Sequence, residues 1–222
     1  MRQQLLTIYE RLFAVYGPQG WWPGDSPFEV IVGAILTQNT AWSNVERAIA
    51  NLRAAGALTP AGLLALTTEE TARLVRPAGY FNTKARKLRA VVEFLDQEYG
   101  GDLDRLFALD TATLRETLLS LYGIGPETAD SILLYAAGRP VFVVDAYTRR
   151  IFSRLGLVPE TVTYHDLQAL FSDHLPSDVS LFNEYHALIV RHGKVRCTSR
   201  QPGCDSCPLS EGCVYPSPAD GI

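Results

Sequence analysis

The stretch LYGIGPETADSILLYAAGRPVFVVDAYTRR, Leu121–Arg150, decides how this chain is read. Gly123 and Gly125 flank a single isoleucine, and Pro126 follows at what reads as the first position of a helix. Glycine permits a tight turn and proline fits the start of a helix, so the segment predicts a hairpin between two helices. The backbone N–H groups of such a turn, with the positive end of the next helix, can hold a phosphate without reading base sequence. Glu127 then puts a carboxylate in the first turn of that helix. It either has a chemical role or is a surface residue that stabilises the helix's positive end. Asp145 follows the apolar run VFVV and opens DAYTRRIFSRLGL, where it reads as a helix N-cap, ionised and fixed in orientation.

Outward from this stretch the pattern is helical nearly throughout. Leu5, Ile8, Tyr9, Leu12, Val15 and Tyr16 recur at three and four residues. So do Val45, Ile49 and Leu52; Leu88, Val91, Val92 and Leu95; Leu114, Leu118 and Leu121; and Leu181, Tyr185, Leu188, Ile189 and His192. Capping boxes are expected at Ser26–Glu29, Ser43–Glu46 and Thr67–Glu70. Only VFVV suggests a strand, and the fold predicted is all-α. At 222 residues and 47% hydrophobic the chain can bury a large core. No apolar run approaches the roughly 20 residues of a membrane span, and the first residues lack a signal-peptide pattern, so a soluble, cytoplasmic monomer is expected. The net charge of −4 argues weakly against nucleic-acid binding. The cations are nevertheless grouped: Lys84, Arg86, Lys87 and Arg89; Arg149, Arg150 and Arg154; Arg191, Lys194, Arg196 and Arg200.

The four cysteines, Cys197, Cys204, Cys207 and Cys213, are spaced C-x6-C-x2-C-x5-C. Four thiolates on so short a loop can close around a zinc ion or a [4Fe–4S] cluster, and spacing alone does not choose between them. Two disulfides are the alternative, disfavoured for an intracellular chain. The cysteine spacing directly after His192-Gly193-Lys194 resembles the iron–sulfur loop of the endonuclease III family of DNA glycosylases. The glycine hairpin and the aspartate about twenty residues on are similar to the helix–hairpin–helix, Gly/Pro-rich, aspartate signature of that superfamily. The resemblance runs from about Ser26 to Cys213.

It implies a two-lobed protein, with a six-helix barrel lobe carrying the hairpin at residues 22–138. Residues 1–21 and 139–222 would form a lobe holding a mainly structural [4Fe–4S] cluster on the four cysteines. Asp145 takes the catalytic position. Bifunctional members carry, where this chain has Glu127, a lysine that forms a Schiff base with the sugar. A carboxylate cannot do so, which implies a monofunctional glycosylase that uses water. An anion there calls for a cationic partner, Lys194 or a nearby arginine. Gln38, in Thr37-Gln38-Asn39-Thr40, corresponds to the residue that fills the space left by the flipped nucleotide. Tyr80, in GYFNTKA, occupies a second inserting position. Lys84, Arg86 and Lys87 read as phosphate contacts, as do the hairpin at Gly123 and Gly125 and the basic residues Lys194 and Arg200. GxETADSILLYA resembles the 3-methyladenine glycosylases of the endonuclease III type. In that branch Trp42 and either Trp21 or Trp22 would sandwich a cationic alkylated purine, although at least one is expected to be a packing anchor. The expected activity is excision of a damaged base, preferably an alkylated purine, from double-stranded DNA. A glycosylase for oxidised or mismatched bases, and a damaged-DNA-binding protein without chemistry, are the alternatives.

Overall fold

The helices start where the chain supplies a cap or a proline. The computed structural model describes residues 1–215. Among these every regular element is helical, and the expected limit of the cluster lobe at residue 222 lies outside them. The chain opens with α1 (Arg2–Tyr16). A contiguous unit, Trp22–Arg139, then carries α2 (Pro27–Leu36), α3 (Trp42–Ala54), α4 (Pro60–Leu64), α5 (Thr68–Leu74), α6 (Phe81–Tyr99), α7 (Leu103–Phe107), α8 (Thr111–Ser120) and α9 (Pro126–Ser131). From Pro140 the chain supplies α10 (Ala146–Arg154), α11 (Tyr164–Ser172) and α12 (Val179–Val195), which form the other unit together with residues 1–21. No helix of the described residues is long and apolar enough to cross a membrane.

In the contiguous unit, α2 is the core. Every residue from Phe28 to Leu36 is buried, which a helix apolar on all sides requires. Its one charge, Glu29, accepts two bonds from Arg53 at 2.8 and 2.9 Å. Ser26 caps the helix by accepting from the Glu29 N–H at 3.2 Å. The carboxylate is given to Arg53, so only half of the expected box forms. The Thr67–Glu70 box is complete. The Ser43–Glu46 box is corrected: α3 begins at Trp42 after the extended Ala41, so Ser43 already lies inside the first turn and no side chain caps the helix. The unit has eight α-helices rather than six, several short and separately capped, as α7 is by Asp102. Arg115 clasps the fully buried Asp130 through two bonds of 2.6 and 3.1 Å, which ties α8 to α9. After α9 the helix widens into a π-helical turn, Ile132–Ala136.

The other unit is packed by aromatic rings. Phe142 stacks on Phe171 with centroids 3.8 Å apart, and Phe182 and Tyr185 meet Phe142 edge-on. VFVV is not a strand. Phe142, Val143 and Val144 are buried as irregular backbone, and Gln168 donates to the Phe142 carbonyl at 2.7 Å. The Tyr185 hydroxyl donates to the Leu5 carbonyl at 2.8 Å and fastens α1 to α12. At Gly193 an added Cβ would lie 2.4 Å from the Tyr147 ring, so the glycine permits α10 and α12 to approach closely.

Candidate functional site

The hairpin of the contiguous unit is built around two glycines with different tasks. Gly123 has φ +80°, and a Cβ on it would sit 2.5 Å from the aliphatic stem of Lys87. It is glycine both for its backbone and for that side chain lying over it. Gly125 is the N-cap of α9, with Pro126 at the first helical position and open space around it. Ile124 is buried between them and anchors the turn. Tyr122, at the tip, is half exposed with the Arg86 guanidinium over its ring at 5.7 Å. Glu127 is exposed in the first turn of α9.

Gln38, from the turn after α2, is bound to this hairpin. Its amide donates to the Gly123 carbonyl at 3.2 Å and to Thr128 Oγ1 at 2.9 Å, and its Oε1 accepts from Lys87 Nζ. Tyr80 is 74% exposed and held in the left-handed region at φ 44°, which an L-residue with a side chain rarely adopts. One expected phosphate contact is corrected. Lys84 is 2% exposed, and its ammonium donates to the Leu36 and Ala78 carbonyls at 2.8 and 2.7 Å, which directs it away from solvent. Burial, with Lys87 nearby, lowers its pKa to about 8.

The tryptophans do not all stand as expected. Trp22 meets Trp42 edge to face, with centroids 5.2 Å apart and planes at 90°, so these two rings touch and do not form the walls of a sandwich. Trp22 also lies against Tyr135 and over Gly33, as a packing anchor would. Both rings line an open hollow of about 420 Å³ with Asp25, Glu29, Glu46 and Arg53. In the other unit the Lys194 ammonium stands over the Trp21 ring at 5.8 Å.

Asp145 caps α10. Its Oδ1 accepts from the Thr148 N–H at 2.8 Å and from the Thr148 hydroxyl at 2.9 Å, while its own N–H donates to Thr148 Oγ1. Its Oδ2 faces His186 of α12 at 3.6 Å. Burial raises the pKa of such a group, but His186 and the bonds from Thr148 outweigh it and the carboxyl ends below its ordinary value. The result is an ionised, oriented carboxylate with 12% of its side chain exposed.

The far end of α10 grips the cysteine loop. Arg150 donates to the carbonyls of Cys197 at 2.9 Å and Gly193 at 3.0 Å. Arg154 donates to Cys197 Sγ at 3.3 Å and to the carbonyls of Thr198 and Ser199. The Arg154 carbonyl accepts from the Val214 N–H and the Cys213 thiol. Cys207 follows a 3-10 turn, Cys204–Ser206. Burial, and the nearby Cys197, Cys213 and Cys204, raise the Cys207 thiol pKa. Four thiols on one loop suit a multivalent cationic centre, whose charge would favour their thiolate forms. Among the described residues no group of three or more His, Cys, Asp or Glu is gathered as a single-ion site. His192, 1% exposed, binds the Tyr16 hydroxyl at 2.9 Å. Its pKa is pushed down to about 4 by burial and by Arg196 and Arg150.

Residues 32–177 match the family described as HhH-GPD superfamily base excision DNA repair protein. The chain belongs to this superfamily. It is 46% identical over 213 residues to the "Putative DNA repair glycosylase MJ1434" of Methanocaldococcus jannaschii, covering 96% of each chain. It is 33% identical over 189 residues to endonuclease III of Sulfolobus acidocaldarius, covering 85% and 82%. Its fold matches an endonuclease III trapped as a covalent intermediate with DNA (TM-score 0.83, 23% identity, 96% and 95% of the chains). It also matches the H. pylori 3-methyladenine DNA glycosylase MagIII bound to 1,N6-ethenoadenine (TM-score 0.72, 27% identity, 86% and 97%). The protein is thus an endonuclease III-like DNA glycosylase of base excision repair.

In this HhH-GPD protein Gln38, Lys87, Gly123 and Thr128 form one bonded cluster, and Cys197 and Cys213 each contact Arg154 at the end of α10. Reading the sequence missed His186 beside Asp145, the Arg115–Asp130 clasp, and the inward course of Lys84. For Lys84 a signal existed, because it stands four residues before Leu88 on the apolar stripe of α6.

Proposed function

We propose that this glycosylase hydrolyses the N-glycosidic bond of an alkylated purine turned out of duplex DNA and leaves an abasic site without cutting the strand. The observation that carries this reading is Asp145, an ionised carboxylate locked by Thr148 and His186. Breakage of the bond sends its electron pair to the base, which leaves neutral because alkylation had made it cationic. Positive charge develops at the sugar carbon, and Asp145 stabilises it. The oxygen of a water adds to that carbon and its proton passes to the Asp145 carboxylate.

The hydrolytic course, rather than attack by an amine, is supported by Glu127 at the position where the resemblance places the lyase lysine. The chain has three lysines. Lys84 is buried on carbonyls, Lys87 binds Gln38 and Lys194 lies at Trp21. A cationic purine is supported by the tryptophan rings that line the hollow at Trp22 and Trp42, where Asp25 and Glu29 are already paired with Arg53. On the DNA side, Gln38 and Tyr80 would enter the duplex, while Lys87, Gly123, Gly125, Lys194 and Arg200 would meet phosphates. The four cysteines would hold a [4Fe–4S] cluster, which when bound cross-links their loop. Release of 3-methyladenine from methylated duplex by wild type, and its loss in Asp145→Asn, tests the reading. Efficient covalent trapping by borohydride during the reaction would overturn the hydrolytic course.

A further inference from the structure

Among the described residues only two other than glycine have positive φ: Asn39 at 54° and Tyr80 at 44°. Such conformations cost free energy and persist only where the surroundings hold them. Both follow closely on a carbonyl held by the same side chain. Lys84 Nζ donates to Leu36, the last residue of α2, three positions before Asn39. It also donates to Ala78, the last residue of the 3-10 turn Arg76–Ala78, two positions before Tyr80. The carbonyls at a helix C-terminus lack partners within the helix and carry partial negative charge, so one ammonium caps two such ends together. Lys84 itself starts from the first turn of α6, directly after Tyr80, and is 2% exposed. Gln38 and Tyr80 therefore sit on two strained loops that share one buried anchor.

We infer that Lys84 is a positioning residue that couples the 37–40 and 79–81 loops, so that Gln38 and Tyr80 enter DNA at a fixed separation. This rests on the proposed insertion of those two side chains. Removing the ammonium leaves two helix-end carbonyls without their cap, and each loop then samples conformations in which its strained residue relaxes. Lys84 itself bonds to Leu36 and Ala78 and not to the hairpin at Gly123 and Gly125, which Gln38 reaches through the Gly123 carbonyl.

The experiment uses the full chain and a duplex with 2-aminopurine beside an abasic analogue, where fluorescence rises when the stack is opened. Lys84→Met, nearly isosteric but without donors, should bind this duplex within about twofold of wild type and open the stack about tenfold more slowly, since a small misplacement of inserting groups costs rate more than affinity. Lys84→Arg, which keeps donors, should recover part of that rate. If wild type opens no stack, the insertion reading itself fails. If wild type opens it and Lys84→Met does so equally fast, the coupling inference fails. Should Lys84→Met not fold, hydrogen exchange of Asn39→Gly decides. A glycine relieves strain at position 39, and coupling predicts altered protection at residues 79–83 as well as 37–40. A change confined to 37–40 would overturn the coupling.

Discussion

At Asp145 a structural duty and a proposed chemical one fall on the same side chain, and they can be separated. Asparagine also caps helices well, so Asp145→Asn should change the unfolding free energy by no more than about 1 kcal/mol. It should lower single-turnover excision by about 10²–10⁴-fold, since the charge opposite the sugar is lost. Its folded pKa is depressed, so the stabilisation it gains from ionisation is present above its unfolded pKa and fades as pH falls through the folded value. The stability advantage of wild type over Asp145→Asn should then shrink as pH falls below about 4. Urea titrations on either side of that pH, with rates at neutral pH, check both parts. Asp145 was legible because a carboxylate between an apolar run and a helix is a local pattern. His186 was not, since it lies 41 positions away and only the packing of α12 brings it to Oδ2. Lys84 misled for a related reason: the run Lys84-Ala85-Arg86-Lys87 looks uniformly basic, whereas helical rotation turns its first member inward and its third outward.

At the scale of elements the hairpin invites two substitutions. Gly123→Ala must place a Cβ at φ +80° and displace the Lys87 stem, and should cost about 1–2 kcal/mol of stability. It should also weaken binding of undamaged duplex at low salt, because Lys87 and Gln38 move together. Fluorescence anisotropy and urea unfolding report these separately, and an unchanged binding curve would count against the hairpin as a phosphate site. Arg115→Ala removes two bonds from a carboxylate with no exposure and should cost about 3–5 kcal/mol in the same unfolding measurement. Most helices could be placed from apolar spacing and caps. Helix α3 starts two residues before its capping-box pattern predicts, with Ala41 rather than Ser43 at the N-cap. The π-helical turn after α9 carries no marker in its letters, ILLYA, which would suit an ordinary helix equally well. The short helices α4 and α7 were missed because five residues are too few to show a period.

At the scale of the whole molecule each unit has its own apolar core, and the cysteine loop belongs to the unit of residues 1–21 and 140–222. With the proposed [4Fe–4S] cluster on the four cysteines, iron removal should cost hydrogen-exchange protection around Cys197–Cys213 and at the last turn of α10, where Arg150 and Arg154 hold that loop. Helices α2 to α6 should keep theirs. Equal loss in both units would show that the cluster supports the entire chain. The opening helix has a further consequence. Tyr185 donates to the Leu5 carbonyl across 180 residues of sequence, while Trp22–Arg139 is a continuous stretch with its own core. As the polypeptide leaves the ribosome, the middle can close long before the segment that must receive α1 has been made. The amphipathic α1, with Leu5, Ile8 and Leu12 still uncovered, waits until α12 has been made. Its docking is a late event of high contact order, and in that interval the newborn protein is most open to proteases and chaperones.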